Sequence, residues 1–142
     1  MPEDFIMQMR PCFGEEEKQA ICEYMSEDGF ITEFERTEKF EQMLAKYLGA
    51  KHCIVVNNGT VSLTLAAMAV GIKADDEVIV PNYTMIATPN SLKLFGAKPI
   101  FVDVEEETLC LDIEQVKKTI STKTKAIILV SANGRYPNSG IS

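Results

Sequence analysis

Short, almost continuously apolar segments alternate with helical segments from residue 52 onward, and this alternation restricts the chain to few folds. The apolar segments span residues 52–56, 77–81, 99–104 and 126–130. An apolar run of this length is typical of a parallel strand that is covered on both faces. Because helical patterns separate the runs, the sequence predicts an α/β architecture with right-handed crossovers between four strands.

The helical segments of this alternating part span residues 60–70, 86–95 and 112–120. The first third of the chain differs, because its apolar pattern predicts only helices. One is an amphipathic helix over residues 15–28, and the second has an apolar stripe over residues 40–48. We therefore divide the chain into two parts. These are an N-terminal helical segment, residues 1–50, and an α/β part, residues 51–142.

The turn between the first predicted strand and its helix is the clearest local indication of a binding site. It reads Asn-Asn-Gly-Thr and ends at Thr60. A helix start has backbone N–H groups without partners and carries the positive end of the helix dipole. Gly59 permits close approach of a ligand, and the Thr60 hydroxyl can add a donor. The turn therefore predicts a phosphate site; the alternative is a turn capped by Asn58 or Thr60 with nothing bound.

Composition excludes several classes of function. The apolar fraction of 46% and the charged fraction of 25% are ordinary for a soluble globular protein. The net charge of −7 argues against nucleic acid or an anionic membrane as a partner. The four cysteines are scattered, which predicts neither a metal site nor a disulfide framework and favours the cytoplasm. No apolar run approaches the ~20 residues of a membrane span.

Several chemically suggestive residues are explained by structural roles. His52 opens a predicted strand, and Asp75-Asp76-Glu77 forms a turn into the next one. The run Glu105-Glu106-Glu107 is interpreted as a solvated turn. The sequence contains no Ser/His/Asp or Cys/His set that would indicate nucleophilic hydrolysis.

Five blocks of sequence carry a family resemblance, in family order and with family-like spacing. They are DGFIT (28–32), FEQMLAKYLGAKHCIVVNNGT (40–60), DEVIVPNYTMIATPNS (76–91), LFGAKPIFVDVEEETLCLD (94–112) and TKTKAIILVSANGR (122–135). Over nearly its whole length the chain resembles the DegT/DnrJ/StrS-type nucleotide-sugar aminotransferases. Its segments TMIAT and NGR are similar to those of perosamine-synthase-type members. The resemblance implies pyridoxal phosphate as cofactor. It also implies the fold-type-I (aspartate-aminotransferase) fold, of which this chain would be an incomplete large domain.

The resemblance assigns four residues to the cofactor. Gly59, Thr60 and Val61 align with the phosphate-binding turn of the family. Met85 takes the place of an aromatic residue that stacks on the cofactor ring in many members. A thioether can also make a favourable contact with a ring, whereas plain packing at a helix start is the alternative account of Met85.

Three residues are assigned to the substrate. Phe30 and Ile31 belong to a segment that resembles the family loop near the sugar-nucleotide entrance. Asn133 follows the carboxyl end of a predicted strand, where α/β proteins place ligands. An ordinary loop tip explains Asn133 equally well.

The activity implied by the resemblance is amino transfer from an amino acid, glutamate in the family, to C4 of a nucleotide-linked 4-keto-6-deoxy sugar, by a homodimer in its full-length form. The chain lacks the family's Schiff-base lysine segment, its Asp-Ala-Ala-type segment and its small domain. We therefore assign no catalytic residue and expect the chain alone to be inactive. The alternatives are a non-catalytic nucleotide-sugar-binding or assembly module, and a sugar dehydratase of the same family.

The resemblance also implies a position at the edge of the sheet for the first strand. In the family fold this strand lies at one edge of the sheet, beside a strand supplied late in the chain, whereas the next three strands cluster towards the other edge. Residues 52–56 are therefore expected to lack their usual neighbours here.

Overall fold

The computed structural model of the chain describes residue 6 and residues 10–27 and 35–138. The chain divides into two compact units, Met1–Val55 and Val56–Ser142. No helix within the described ranges combines the length and the apolar character that crossing a bilayer requires.

Among its described residues, the first unit contains two helices, α1 (Glu15–Ser26) and α2 (Glu35–Leu48), in the two segments where the sequence predicts helices. The first turn of α1 is closed by the Glu17 carboxylate, which accepts a hydrogen bond from the Gly14 N–H at 2.6 Å. This bond holds the pKa of Glu17 below its ordinary value. The negative charge also lies at the positive end of the helix dipole, where it stabilises the helix.

The second unit is built on a three-stranded parallel sheet. Its strands are β1 (Glu77–Pro81), β2 (Lys98–Val102) and β3 (Thr124–Ile127), and their order across the sheet is β2-β1-β3. Because β1 is central, both of its backbone edges are paired, and the three middle residues of this strand are completely buried. The predicted α/β fold with a parallel sheet is confirmed.

Helices cover both faces of the sheet, as the continuous apolar runs predict. On one face, Val78 and Val80 of β1 pack with residues of α3 (Gly59–Ala69) and α4 (Ala87–Lys93). On the other face, Ile79 packs with Leu111 and with Val116 of α5 (Ile113–Thr119). Alternate residues of one strand therefore serve two separate apolar clusters.

The prediction of a strand at residues 52–56 is wrong, because these residues pair with no strand of the sheet in the structure. A strand needs a neighbour to pair its backbone N–H and C=O groups. The three observed strands pair only with one another, and the Val55 N–H instead donates to the Glu41 carboxylate at 2.7 Å. Ile54 remains 78% exposed. The described part of the chain thus contains three of the four predicted strands.

Asp112 caps the amino end of α5, and its hydrogen bonds predict how the stability of the protein depends on pH. Its carboxylate accepts from the Gln115 side chain at 2.8 Å and from the Glu114 and Gln115 backbone N–H groups at 2.9 and 3.1 Å. These bonds, chiefly that of the Gln115 side chain, hold the pKa of Asp112 below its ordinary value of 3.8.

A carboxylate whose pKa is lowered on folding contributes stability above its unfolded pKa and loses it as the pH falls through the folded value. We expect the free energy of unfolding to fall more steeply between about pH 5 and about pH 2 in the native protein than in Asp112→Asn, which keeps a capping oxygen without the titrating charge. Urea denaturation across this pH range measures the difference. Parallel curves for the two proteins would contradict the assignment.

Candidate phosphate and ring site

The amino end of α3 presents hydrogen-bond donors that have no partner among the described residues. Asn58 is the N-cap, and its side-chain oxygen accepts from the Val61 N–H at 3.0 Å. The Gly59 and Thr60 N–H groups and the Thr60 hydroxyl have no acceptor within the described part of the chain. Capping by Asn58 therefore engages the Val61 amide and leaves three donors available to an anion.

The backbone at Gly59 is open on its outer side. A Cβ built on Gly59 would meet no atom within 4 Å, and both Gly59 and Thr60 are exposed. A phosphate group needs such space, because its oxygens must approach to hydrogen-bond distance from the backbone nitrogens. Two amides, one hydroxyl and the positive end of an eleven-residue helix fit a phosphate group chemically.

A second feature lies at the carboxyl ends of β1 and β3. An open cavity of about 300 Å³ is lined there by Tyr83, Thr84, Met85, Val130, Ala132 and Asn133. Met85 precedes α4 and is 76% exposed, so its thioether is available for contact with a ligand. The lining contains no charged side chain, which suits an uncharged ring surface better than an isolated anion.

Asn133 reaches this cavity through an uncommon backbone conformation. It lies in the short 3-10 turn Ala132–Gly134 with φ of +52°, and Gly134 follows with φ of +74°. Asparagine tolerates the left-handed region better than most residues, and glycine adopts it without steric cost. The pair lies in the segment that follows β3, and Asn133 lines the cavity.

The structure brings two of the predicted site residues together and separates others. Met85 and Asn133 line one cavity, although 48 positions separate them in the chain. Gly59 and Thr60 are not part of that lining. Phe30, named with Ile31 as a substrate contact, lies outside the described residues, as does Ile31 itself.

Sequence reasoning missed Tyr83 and Thr84 of the cavity lining. Both follow the end of β1 after Asn82, and α/β proteins bind ligands at the carboxyl ends of parallel strands, so their position was the available signal. At the same edge, Asn82 donates to the Asp103 carboxylate at 2.9 Å. This bond ties the ends of β1 and β2 together. Within the described residues, no group of three or more His, Cys, Asp and Glu side chains could hold a metal ion.

Comparison with known protein families gives a match over most of the chain. The profile of the DegT/DnrJ/EryC1/StrS aminotransferase family matches residues 11–138. An uncharacterised protein of Methanocaldococcus jannaschii is 40% identical over 132 residues, which cover 93% of this chain and 34% of that protein. GDP-perosamine synthase of Vibrio cholerae is 44% identical over 98 residues, which cover 69% of this chain and 27% of the synthase. The chain thus spans about a third of the length of the curated relatives that it matches.

Solved structures agree with the sequence match. The putative sugar aminotransferase Spr1654 from Streptococcus pneumoniae, in its PMP form, superposes with a TM-score of 0.84 at 27% identity, covering 90% of this chain and 32% of that one. A GDP-4-keto-6-deoxymannose-3-dehydratase with a trapped PLP-glutamate geminal diamine gives a TM-score of 0.77 at 30% identity, covering 82% and 32%. A putative sugar aminotransferase and a sugar dehydratase therefore share this part of the fold.

Proposed function

The chain belongs to the DegT/DnrJ/EryC1/StrS aminotransferase family, and we propose that it carries the phosphate-binding and ring-contacting part of a pyridoxal phosphate site. The fold is that of the first part of the large domain in fold-type-I aminotransferases. We further propose that residues 51–142 form this cofactor-binding part and that residues 1–50 form a helical segment before it.

The observation that carries the proposal is the set of unpaired donors at the start of α3. The Gly59 and Thr60 amides and the Thr60 hydroxyl would hold the cofactor phosphate, with open space beside Gly59 for its oxygens. Val61 would contribute through its place in the turn, because its own amide is bound to Asn58. A hydrogen bond to a charged group contributes about 1.5–3 kcal/mol, so three donors are enough to select a phosphorylated ligand.

Met85 and Asn133 would serve the ring and the substrate, respectively. The Met85 thioether, largely exposed at the cavity, would contact the cofactor ring, a contact of about 0.3–1.5 kcal/mol. Asn133 would offer amide donors and an acceptor to a polar substrate. When bound, pyridoxal phosphate supplies an electron sink for chemistry at carbon atoms next to nitrogen.

The substrates follow from the relatives and remain part of the proposal. We propose a nucleotide-linked 4-keto-6-deoxy sugar as amino acceptor, an amino acid, glutamate in the resembled family, as donor, and a homodimeric, cytoplasmic full-length enzyme. The similarity to GDP-perosamine synthase supports the sugar class. No lysine lines the cavity beside Met85, and this chemistry needs one. We therefore expect the 142-residue chain alone not to turn over these substrates.

The absence of lysine from the cavity lining favours a second candidate function, a non-catalytic nucleotide-sugar-binding module. Isothermal titration of the 142-residue chain distinguishes the two. Pyridoxamine 5′-phosphate is the suitable probe, because it lacks the aldehyde that would react with exposed lysines. Our proposal predicts that it binds and that pyridoxamine, which has no phosphate, does not. Tight binding of a GDP-linked hexose without binding of pyridoxamine 5′-phosphate would support the module instead.

A further inference from the structure

Two glutamates of the turn at residues 105–110 hold the chain segment that follows the candidate cavity. The Asn138 backbone N–H donates to Glu105 Oε2 at 2.9 Å, and Asn138 Nδ2 donates to Glu107 Oε2, also at 2.9 Å. The predicted solvated turn is therefore an incomplete account of Glu105 and Glu107, although Glu107 is exposed. Each accepts a bond from a residue more than thirty positions away.

Arg135 adds two more links between the same segment and the same turn. Its Nη1 donates to the backbone carbonyl of Glu107 at 3.2 Å. Its own carbonyl accepts from the thiol of the buried Cys110 at 3.4 Å. Residues 135–138 are thus fixed at both ends by four hydrogen bonds to one turn.

The turn is itself braced, so it can act as a fixed support. Glu105 Oε2 accepts a second bond, from the Thr108 hydroxyl at 2.8 Å, and that hydroxyl accepts from the Cys110 N–H at 3.1 Å. The Glu105 N–H donates to the Cys110 carbonyl at 2.9 Å. Glu105 therefore links the inside of the turn to the segment that the turn holds.

The segment held in this way begins immediately after Asn133 and Gly134, whose left-handed conformations place Asn133 at the cavity. Asparagine enters the left-handed region at a lower cost than most residues, and contacts on either side of the pair help to retain that conformation. The 3-10 turn has three backbone hydrogen bonds of its own: Ala132 N–H to the Val130 carbonyl at 3.0 Å, Gly134 N–H to the Ser131 carbonyl at 3.1 Å, and Arg135 N–H to the Ala132 carbonyl at 3.0 Å. The bonds of Arg135 and Asn138 to the 105–110 turn add contacts with a distant part of the chain.

We propose that Glu105 is a positioning residue, which, with Glu107, fixes the 131–138 loop so that Asn133 stays beside Met85 at the cavity. The carboxylate does not line the cavity and acts through the loop. This inference concerns the shape of the cavity without a ligand. Its failure would therefore leave the proposed binding of pyridoxal phosphate intact, and the reverse also holds.

The test compares three variants of the 142-residue chain by hydrogen exchange and by the ¹³C methyl resonance of Met85. Glu105→Ala removes the side-chain acceptor of the bonds from Asn138 and Thr108, whereas Glu105→Gln keeps one acceptor oxygen. Glu106→Ala is the matched control, because Glu106 lies in the same turn, is exposed and has no side-chain hydrogen bond among the described residues. A Met85→Leu variant assigns the methyl signal.

We expect amide exchange in residues 131–138 to accelerate about tenfold in Glu105→Ala, much less in Glu105→Gln and not at all in Glu106→Ala. The Met85 methyl resonance should move only where the loop is released. Unchanged loop exchange in Glu105→Ala, exchange that rises equally in β1, or an unmoved Met85 signal would overturn the proposal. Should Glu105→Ala not fold, Glu107→Ala, which removes a single exposed acceptor, must accelerate exchange in the same loop, and no change there would overturn it.

Discussion

Replacing Gly59 with valine and Thr60 with valine together should abolish detectable binding of pyridoxamine 5′-phosphate while leaving the fold intact. The Gly59 substitution fills the space that a phosphate oxygen would occupy, since a Cβ there meets no protein atom within 4 Å. The Thr60 substitution removes a hydroxyl donor. Loss of one hydrogen bond to a charged group raises Kd about tenfold or more. Isothermal titration measures the binding.

The structure supplies a matched control for this pair. Thr64 lies one helical turn after Thr60, and its hydroxyl donates to the Thr60 carbonyl at 3.0 Å instead of pointing to an open end of the helix. Thr64→Val should bind pyridoxamine 5′-phosphate as the native chain does. The backbone φ at Gly59 is not positive, so a side chain there causes no backbone strain. The free energy of unfolding of the double variant should therefore lie within about 0.5 kcal/mol of the native value. Equal affinity of the double variant and Thr64→Val would contradict the site assignment.

Ile79→Ala should destabilise the protein by about 2–5 kcal/mol. Ile79 is fully buried in the central strand and packs with Leu111 and Val116, so the substitution removes apolar contacts and leaves a cavity. Total stabilities of small domains are about 5–15 kcal/mol, so the loss would be a large fraction of the whole. Urea denaturation followed by circular dichroism measures the change.

Ile127→Ala provides the comparison for the core substitution. The substitution is the same, isoleucine to alanine, but it lies in the neighbouring strand β3. The Ile127 side chain is 46% exposed there, at the edge of the sheet. The cost there should be below about 1 kcal/mol, because much of the side chain is already in water. Similar losses for the two variants would mean that β1 is not the centre of the core.

The sequence predicted strand bounds best where other parts of the chain cover both faces of the strand. The predicted and observed bounds of β1 agree, because its apolar run is buried on both sides and paired on both edges. The strand predicted to end at residue 104 ends at Val102, since Val104 instead forms an isolated antiparallel bridge with Leu111. Residues 52–56 have the right composition for a strand but no neighbour. Pairing depends on partners that a local pattern does not reveal.

The site was predictable only where local chemistry determines it. The donors at Gly59 and Thr60 follow from a helix start after a glycine turn, which is readable from four consecutive residues. Capping of this turn by Asn58 or Thr60 was the alternative prediction, and the structure shows that Asn58 caps it through the Val61 amide. The bonds from Asn138 to Glu105 and Glu107 join residues far apart in the chain, and no spacing rule indicates them.

Amide resonances of the 142-residue chain, recorded while pyridoxamine 5′-phosphate or pyridoxamine is added, test the central claim most directly. If the first turn of α3 binds the cofactor phosphate, the Gly59 and Thr60 signals shift with the phosphorylated compound and stay in place with the other. Gly59 and Thr60 signals that remain unmoved by both compounds, or that respond equally to both, would contradict it.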